Sequence, residues 1–159
     1  MELKAKKTEP NKNDPAIKYG ERLRSLLESG EGLRGICVGS WQKNYFSTKV
    51  VAIGVTERRV IVQLLDRRGN FRDEAPVSVY AEDLTKRKVG AGAGFSDAGA
   101  GLLNASTMTV KLATRSGEKL KLQLTNGEGI LGAFSGPSQK SGAEALVEFV
   151  EGRSASSAV

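Results

Sequence analysis

Chemistry in this chain has to come from a short inventory. Its 159 residues include no histidine and one cysteine, Cys37. That removes the commonest general base, the commonest neutral metal ligand and any intramolecular disulfide. The closest carboxylate pairs are Asp73/Glu74 and Glu82/Asp83. Adjacent residues of an extended segment point to opposite faces, so neither pair converges as an acid–base dyad. No G-x-S-x-G, phosphate-binding Gly-Lys-Ser/Thr or EF-hand pattern occurs. The expectation is a chain that is not an enzyme and uses no cofactor or metal. Cys37, between Ile36 and Val38, reads as a small buried hydrophobe, because no histidine is present to activate it.

Two groups of residues remain as binding candidates. The segment Gln42–Lys49 (QKNYFSTK) sets Tyr45 and Phe46 beside Lys43 and Lys49, with Trp41 at its border. Exposed, it would suit an anionic membrane interface or a protein groove. Turned inward, its rings would simply close the open end of the core. The second group is Lys111, Lys119 and Lys121, which alternate with apolar residues and so share one face. They would make a small basic patch, or serve only as edge protection.

The formal charge of +6 is compatible with an anionic partner such as phospholipid headgroups. Nucleic acid is disfavoured, since the aromatic residues are dispersed and neighbouring acids offset many of the Lys and Arg. No apolar run approaches the roughly 18 residues of a membrane span, and the charged N-terminus has no apolar signal region. These features predict a cytoplasmic protein.

The elements that must position these groups follow from periodicity. Residues 1–13 are expected to be a disordered basic arm and 153–159 a disordered tail. Asp14-Pro15 reads as an N-cap and first helical residue. Tyr19, Leu23, Leu26 and Leu27 form one apolar stripe, predicting a helix near 15–29 within a segment 14–32, with Gly30 as its C′ residue. A main domain is expected over 33–152. Its strands are predicted near 34–41, 50–55, 60–65, 77–80 and 84–89, with Lys86 and Lys88 on one side of the last. Gly/Ala-rich residues 90–105 read as a loop. Met108, Val110 and Leu112 alternate with polar residues, as do Leu120, Leu122 and Leu124, so a hairpin turns at Ser116-Gly117. Ser141-Gly-Ala-Glu144 has the form of a capping box opening a helix over 142–151, ended by Gly152. The count predicts a mainly β fold of about seven strands. Two packed antiparallel sheets would accommodate them, with a C-terminal capping helix and an extra N-terminal helix.

At this point the sequence resembles the bacterial pleckstrin-homology-like (PH-like) domains. The matching stretches are VVAIGVTERRVIV (Val50–Val62), VSVYAEDLTKRKVG (Val77–Gly90), TVKLATRSGEKLKLQL (Thr109–Leu124) and GAEALVEFV (Gly142–Val150). Within them, Thr56-Glu57-Arg58-Arg59 is the family's turn and Asp83-Leu84 its acidic-Leu step. The resemblance implies a binding or scaffold module acting through protein–protein interaction or self-assembly, with homo-oligomers an option. The residues themselves leave an alternative, a peripheral binder of anionic membrane or an anionic ligand through the aromatic–basic loop 41–49. The basic cluster with which eukaryotic PH domains hold phosphoinositides is absent from the corresponding region here, which offers only Lys43 and Lys49.

Overall fold

The structure, a computed structural model, describes residues 14–44, 47–91, 107–125 and 137–152. The predicted arm over 1–13, most of the Gly/Ala-rich segment and the tail over 153–159 lie outside the described residues. Helix α1 (Pro15–Ser25) is followed by strands β1 (Leu33–Asn44), β2 (Ser47–Thr56), β3 (Arg59–Leu65) and β4 (Val77–Tyr80). After one 3-10 turn, Ala81–Asp83, come β5 (Leu84–Ala91), β6 (Thr107–Thr114), β7 (Lys119–Thr125) and helix α2 (Pro137–Glu151). The strands form one antiparallel sheet in the order β4-β3-β2-β1-β7-β6-β5. It consists of two meanders joined where β1 pairs β7 at Ser40↔Gln123 and Trp41↔Leu122. Hydrogen bonding is therefore continuous across all seven strands, where two separate sheets were expected. Among the described residues no helix is long and apolar enough to cross a membrane.

Alternation along the strands sorts the side chains. Cys37, Val51, Ile53, Val55, Val60 and Val62 join Val110, Leu112, Leu120, Leu122 and Leu124 in one apolar cluster. Ala143, Leu146, Phe149 and Val150 of α2 complete it. The cluster thus draws on both meanders, and α2 supplies what neither sheet face has alone. The Cys37 thiol is fully buried, and burial pushes its pKa up to about 12, which keeps it unreactive. On the other side of β1–β3, Tyr19 and Leu23 of α1 pack with Ile36, Val38, Ala52, Ile61 and Leu65. The Tyr19 hydroxyl donates to the Gly69 carbonyl at 2.7 Å, and its ring meets Phe71 edge-on at 5.2 Å.

Both helices depart from the sequence reading. α1 stops at Ser25 with Leu26 as its C-cap, so Gly30 is not its C′ residue. Gly30, at φ 82°, instead serves the turn closed by Glu31 N–H donating to the Glu28 carbonyl at 3.0 Å. α2 starts at Pro137, so Ser141 lies inside it and is no N-cap; its Oγ donates back to the Ser138 carbonyl. The cap comes from far away. Asp14 Oδ2 accepts from the Ser138 N–H at 3.0 Å, while Oδ1 accepts from the Ala16 N–H at 3.0 Å. One buried carboxylate therefore caps both helices.

α2 also finishes the sheet. The Gln139 amide accepts from the Val38 N–H at 2.9 Å and donates to the Val38 carbonyl at 3.0 Å. A side chain thus closes a stretch of β1 edge that, among the described residues, no strand pairs. The approach requires Gly142, where an added Cβ would stand 2.2 Å from the Ile36 carbonyl oxygen.

Candidate functional site

Charged side chains in this fold are used in two ways. The first is a closed network at the β2–β3 turn. Thr56 Oγ1 accepts from the N–H groups of Arg58 and Arg59 at 3.1 and 3.0 Å, which shapes the turn. The Arg59 guanidinium then points inward. Its Nε donates to Glu31 Oε2 at 3.0 Å, and Nη2 donates to Glu31 Oε1 at 2.8 Å and to the Leu26 carbonyl at 2.9 Å. Nη1 donates to Ser78 Oγ at 2.8 Å. Thr56 Oγ1 also donates to Glu31 Oε2 at 2.8 Å. The Arg59 and Glu31 side chains are only 8% and 1% exposed. The hydrogen bonds from Arg59 hold the Glu31 carboxyl down near a pKa of about 2, against the opposing effect of burial. Tyr80 covers the guanidinium, 5.5 Å from ring centre to Arg59 Cζ, and its hydroxyl donates to Glu28 Oε2 at 3.0 Å. Arg58 stays exposed, 3.6 Å from Glu28. The expected structural turn is therefore more than a turn. Arg59 pins the segment after α1 to the β2–β3 hairpin.

The second use is open. β5, β6 and β7 are paired so that Lys88, Lys111 and Lys121 stand directly opposite one another in a row. The row beside it is Lys86, Ala113 and Lys119. All five lysines occupy the sheet face opposite the core, because Leu112 and Leu120 between the two rows, and Val110 and Leu122 next to Lys111 and Lys121, take the inner positions. Lys86, Lys88, Lys111 and Lys119 are exposed and Lys121 is half-buried. Strand neighbours lie about 4.8 Å apart, and alternate residues along a strand about 6.7 Å apart. Among the described residues none of the five makes an ion pair. Like charges directly opposite on a sheet destabilise it, so these rows are a standing cost to the fold. At the end near Lys86 and Lys119 the surface changes sign. Glu82, Asp83 and Glu118 are exposed there, against Arg115. The Arg115 N–H, donating to the Asp83 carbonyl at 3.0 Å, ties the two turns together.

The predicted site residues therefore divide. Lys111, Lys119 and Lys121 do share the outer face. Trp41 is 5% exposed and packs in the core, so it is no surface wedge. Lys49 is its cross-strand partner on that same inner side, half-buried and away from the lysine rows. Lys43 has its backbone in β1, while its side chain, and Tyr45 and Phe46 altogether, lie outside the described residues. Lys86 and Lys88 were missing from the predicted site. Their alternation was visible in the sequence; the register that aligns them with β6 was not. Among the described residues no group of three or more His, Cys, Asp or Glu is placed to hold a metal ion.

Comparison with known proteins gives no family assignment. No family model matches the chain and no curated protein is similar to it. Among solved structures, it is similar to the C-terminal domain of an unknown protein from Leishmania infantum, with 10% identity and a TM-score of 0.45. That match covers 84% of this chain and 90% of the other. It is also similar to the hSac2 domain of the human phosphoinositide phosphatase Sac2, with 12% identity and a TM-score of 0.47, over 87% and 77% of the two chains.

Proposed function

We propose that this chain is a non-enzymatic PH-like interaction module that docks an anionic partner on the outer face of β5–β7. In this reading the two meanders are the two packed layers of such a domain and α2 is its closing helix. What supports that arrangement is the single apolar cluster built from both meanders and α2. The observation that carries the function is the row Lys88–Lys111–Lys121, with Lys86 and Lys119 beside it. The network around Arg59 pairs its buried charge fully. The same chain leaves five lysines together on a regular strand surface, with no ion pair among the described residues. A docked anion would relieve their mutual repulsion, so the energetic cost in the free protein becomes affinity in the complex. Two copies joined through this face would set lysines against lysines, so the partner is a different molecule.

The test is capture from native cell extract on immobilised wild-type protein and on a Lys111→Glu/Lys121→Glu variant. The expected result is a set of partners held by the wild type, released by salt and lost from the variant. Identical captures on both proteins would refute the reading.

A further inference from the structure

We infer that the occupant of this face is an extended acidic polypeptide segment. The inference rests on the docking reading above and narrows it to one class of partner. Three features of the face select it. First, every cation in the two rows is lysine. A lysine ammonium is a hydrated point charge, whereas arginine gives the planar two-point fork suited to gripping one phosphate. The rows are thus built for several separate single charges. Second, the spacing fits a strand-like chain. Lys119 and Lys121, like Lys86 and Lys88, are two residues apart on one face of a strand. An extended peptide presents its own alternate side chains with the same repeat of about 6.7 Å, so Glu or Asp at every second position would meet a lysine each time. Crossing the strands instead, the Lys88–Lys111–Lys121 row offers cations at about 4.8 Å.

Third, the positive area is bounded by acidic residues at one end. Glu82, Asp83 and Glu118 stand exposed at the end next to Lys86 and Lys119. A flat anionic bilayer laid on this end would meet three carboxylates together with the lysines. A single chain lying over the two rows would avoid them. No aromatic or large apolar residue occupies the rows, whose members are four flanking lysines, a central lysine and Ala113. The face therefore has neither a base-stacking platform for single-stranded nucleic acid nor a wedge for membrane insertion.

The experiment uses the full chain with a fluorescent peptide of about twelve residues alternating Glu and Thr, whose repeat matches the strand spacing. Binding is read by anisotropy, with a Lys/Thr peptide of equal length as the reverse-charge control. The comparison proteins are Lys111→Glu/Lys121→Glu and its milder form Lys111→Gln/Lys121→Gln. A third protein, Arg67→Glu/Arg68→Glu, makes the same charge change in the exposed 66–70 turn. Circular dichroism and melting confirm that each is folded. The expected result is saturable binding of the acidic peptide, weakened about tenfold or more by the Lys→Glu pair, less by the Lys→Gln pair, and little by the Arg pair. Weakening as large in the Arg67/Arg68 protein as in the Lys111/Lys121 protein would overturn the inference, because only net charge would then matter. Vesicles of phosphatidylglycerol and phosphatidylcholine form a parallel arm. Vesicle binding lost in Lys111→Glu/Lys121→Glu, without peptide binding, would overturn the peptide inference and leave the docking face standing. Binding to neither probe, together with identical captures from extract, would overturn both.

Discussion

The β2–β3 turn and the outer face of β5–β7 hold the same kinds of residue to opposite ends. At the turn, Arg59 is buried with bonds from Nε, Nη1 and Nη2 that use four of its five N–H groups, and its carboxylate partner is almost inaccessible to water. On the β5–β7 face, lysines outnumber any nearby acid and face one another across strands. Burial explains the difference. A guanidinium taken out of water must be paired or the fold loses several kcal/mol. An ammonium left in water loses little by lacking a partner, so unpaired lysines persist there at small cost. Charge invested in the interior makes structure, while charge left on a sheet surface remains available to another molecule.

The contrast breaks most visibly at Arg59. Arg59→Met leaves Glu31 buried without its counter-charge and should cost about 3–5 kcal/mol in urea unfolding. The double variant Arg59→Met/Glu31→Met should recover much of that loss. A single variant no worse than the double would mean that the network is not a coupled unit. Acid should find the same point. The folded-state pKa of Glu31 is depressed to about 2 from the usual carboxylate value near 4.5. Its contribution is fully present above the unfolded value and is lost as pH falls from there through about 2. Wild-type stability should therefore decline over that window, and the double variant, lacking the group, should show a shallower slope in the same titration.

On the lysine face the sign reverses. Lys111→Glu turns a Lys–Lys–Lys row into Lys–Glu–Lys, so the protein should gain about 0.2–1 kcal/mol while losing its anionic partner. A melting temperature that drops on this substitution would show that Lys111 serves the fold. The smallest effect is expected at Arg58, the exposed neighbour of Arg59. Its 3.6 Å pair with Glu28 sits at 60% and 48% side-chain exposure, and Arg58→Ala should change urea stability by less than about 0.5 kcal/mol. A loss comparable to that of Arg59→Met would erase the distinction between the two adjacent arginines.

Where the sequence was readable, the reason was local. Met108, Val110 and Leu112 alternate with polar residues because one sheet face meets the core and the other meets water, and that alternation can be seen without knowing any partner strand. The strand at 60–65 was readable because its apolar run is buried throughout. What failed depended on distant residues. Ser141-Gly-Ala-Glu144 has the form of a capping box, yet the cap on α2 is Asp14, 124 positions upstream of Ser138. Gly142 looked like part of that box, while its role is to let α2 approach the Ile36 carbonyl. Arg59 read as a turn residue because Glu31 is 28 positions away. Three of the five lysines of the candidate site, Lys111, Lys119 and Lys121, were visible in the sequence. Lys86 and Lys88 joined it only through a register that spans residues 92–106.

The double cap at Asp14 has a consequence for how the chain comes together. Its two hydrogen bonds link the first turn of α1 to the first turn of α2 across nearly the whole described length of the protein. Contacts of such long sequence separation form only after the intervening loop has been closed. α1 can be nucleated early by its own residues, but its capping carboxylate has a second task that waits until β1–β7 are in place. The start of the domain is thereby a checkpoint on its end: a chain emerging N-terminus first cannot complete the α2 cap until residue 138 arrives.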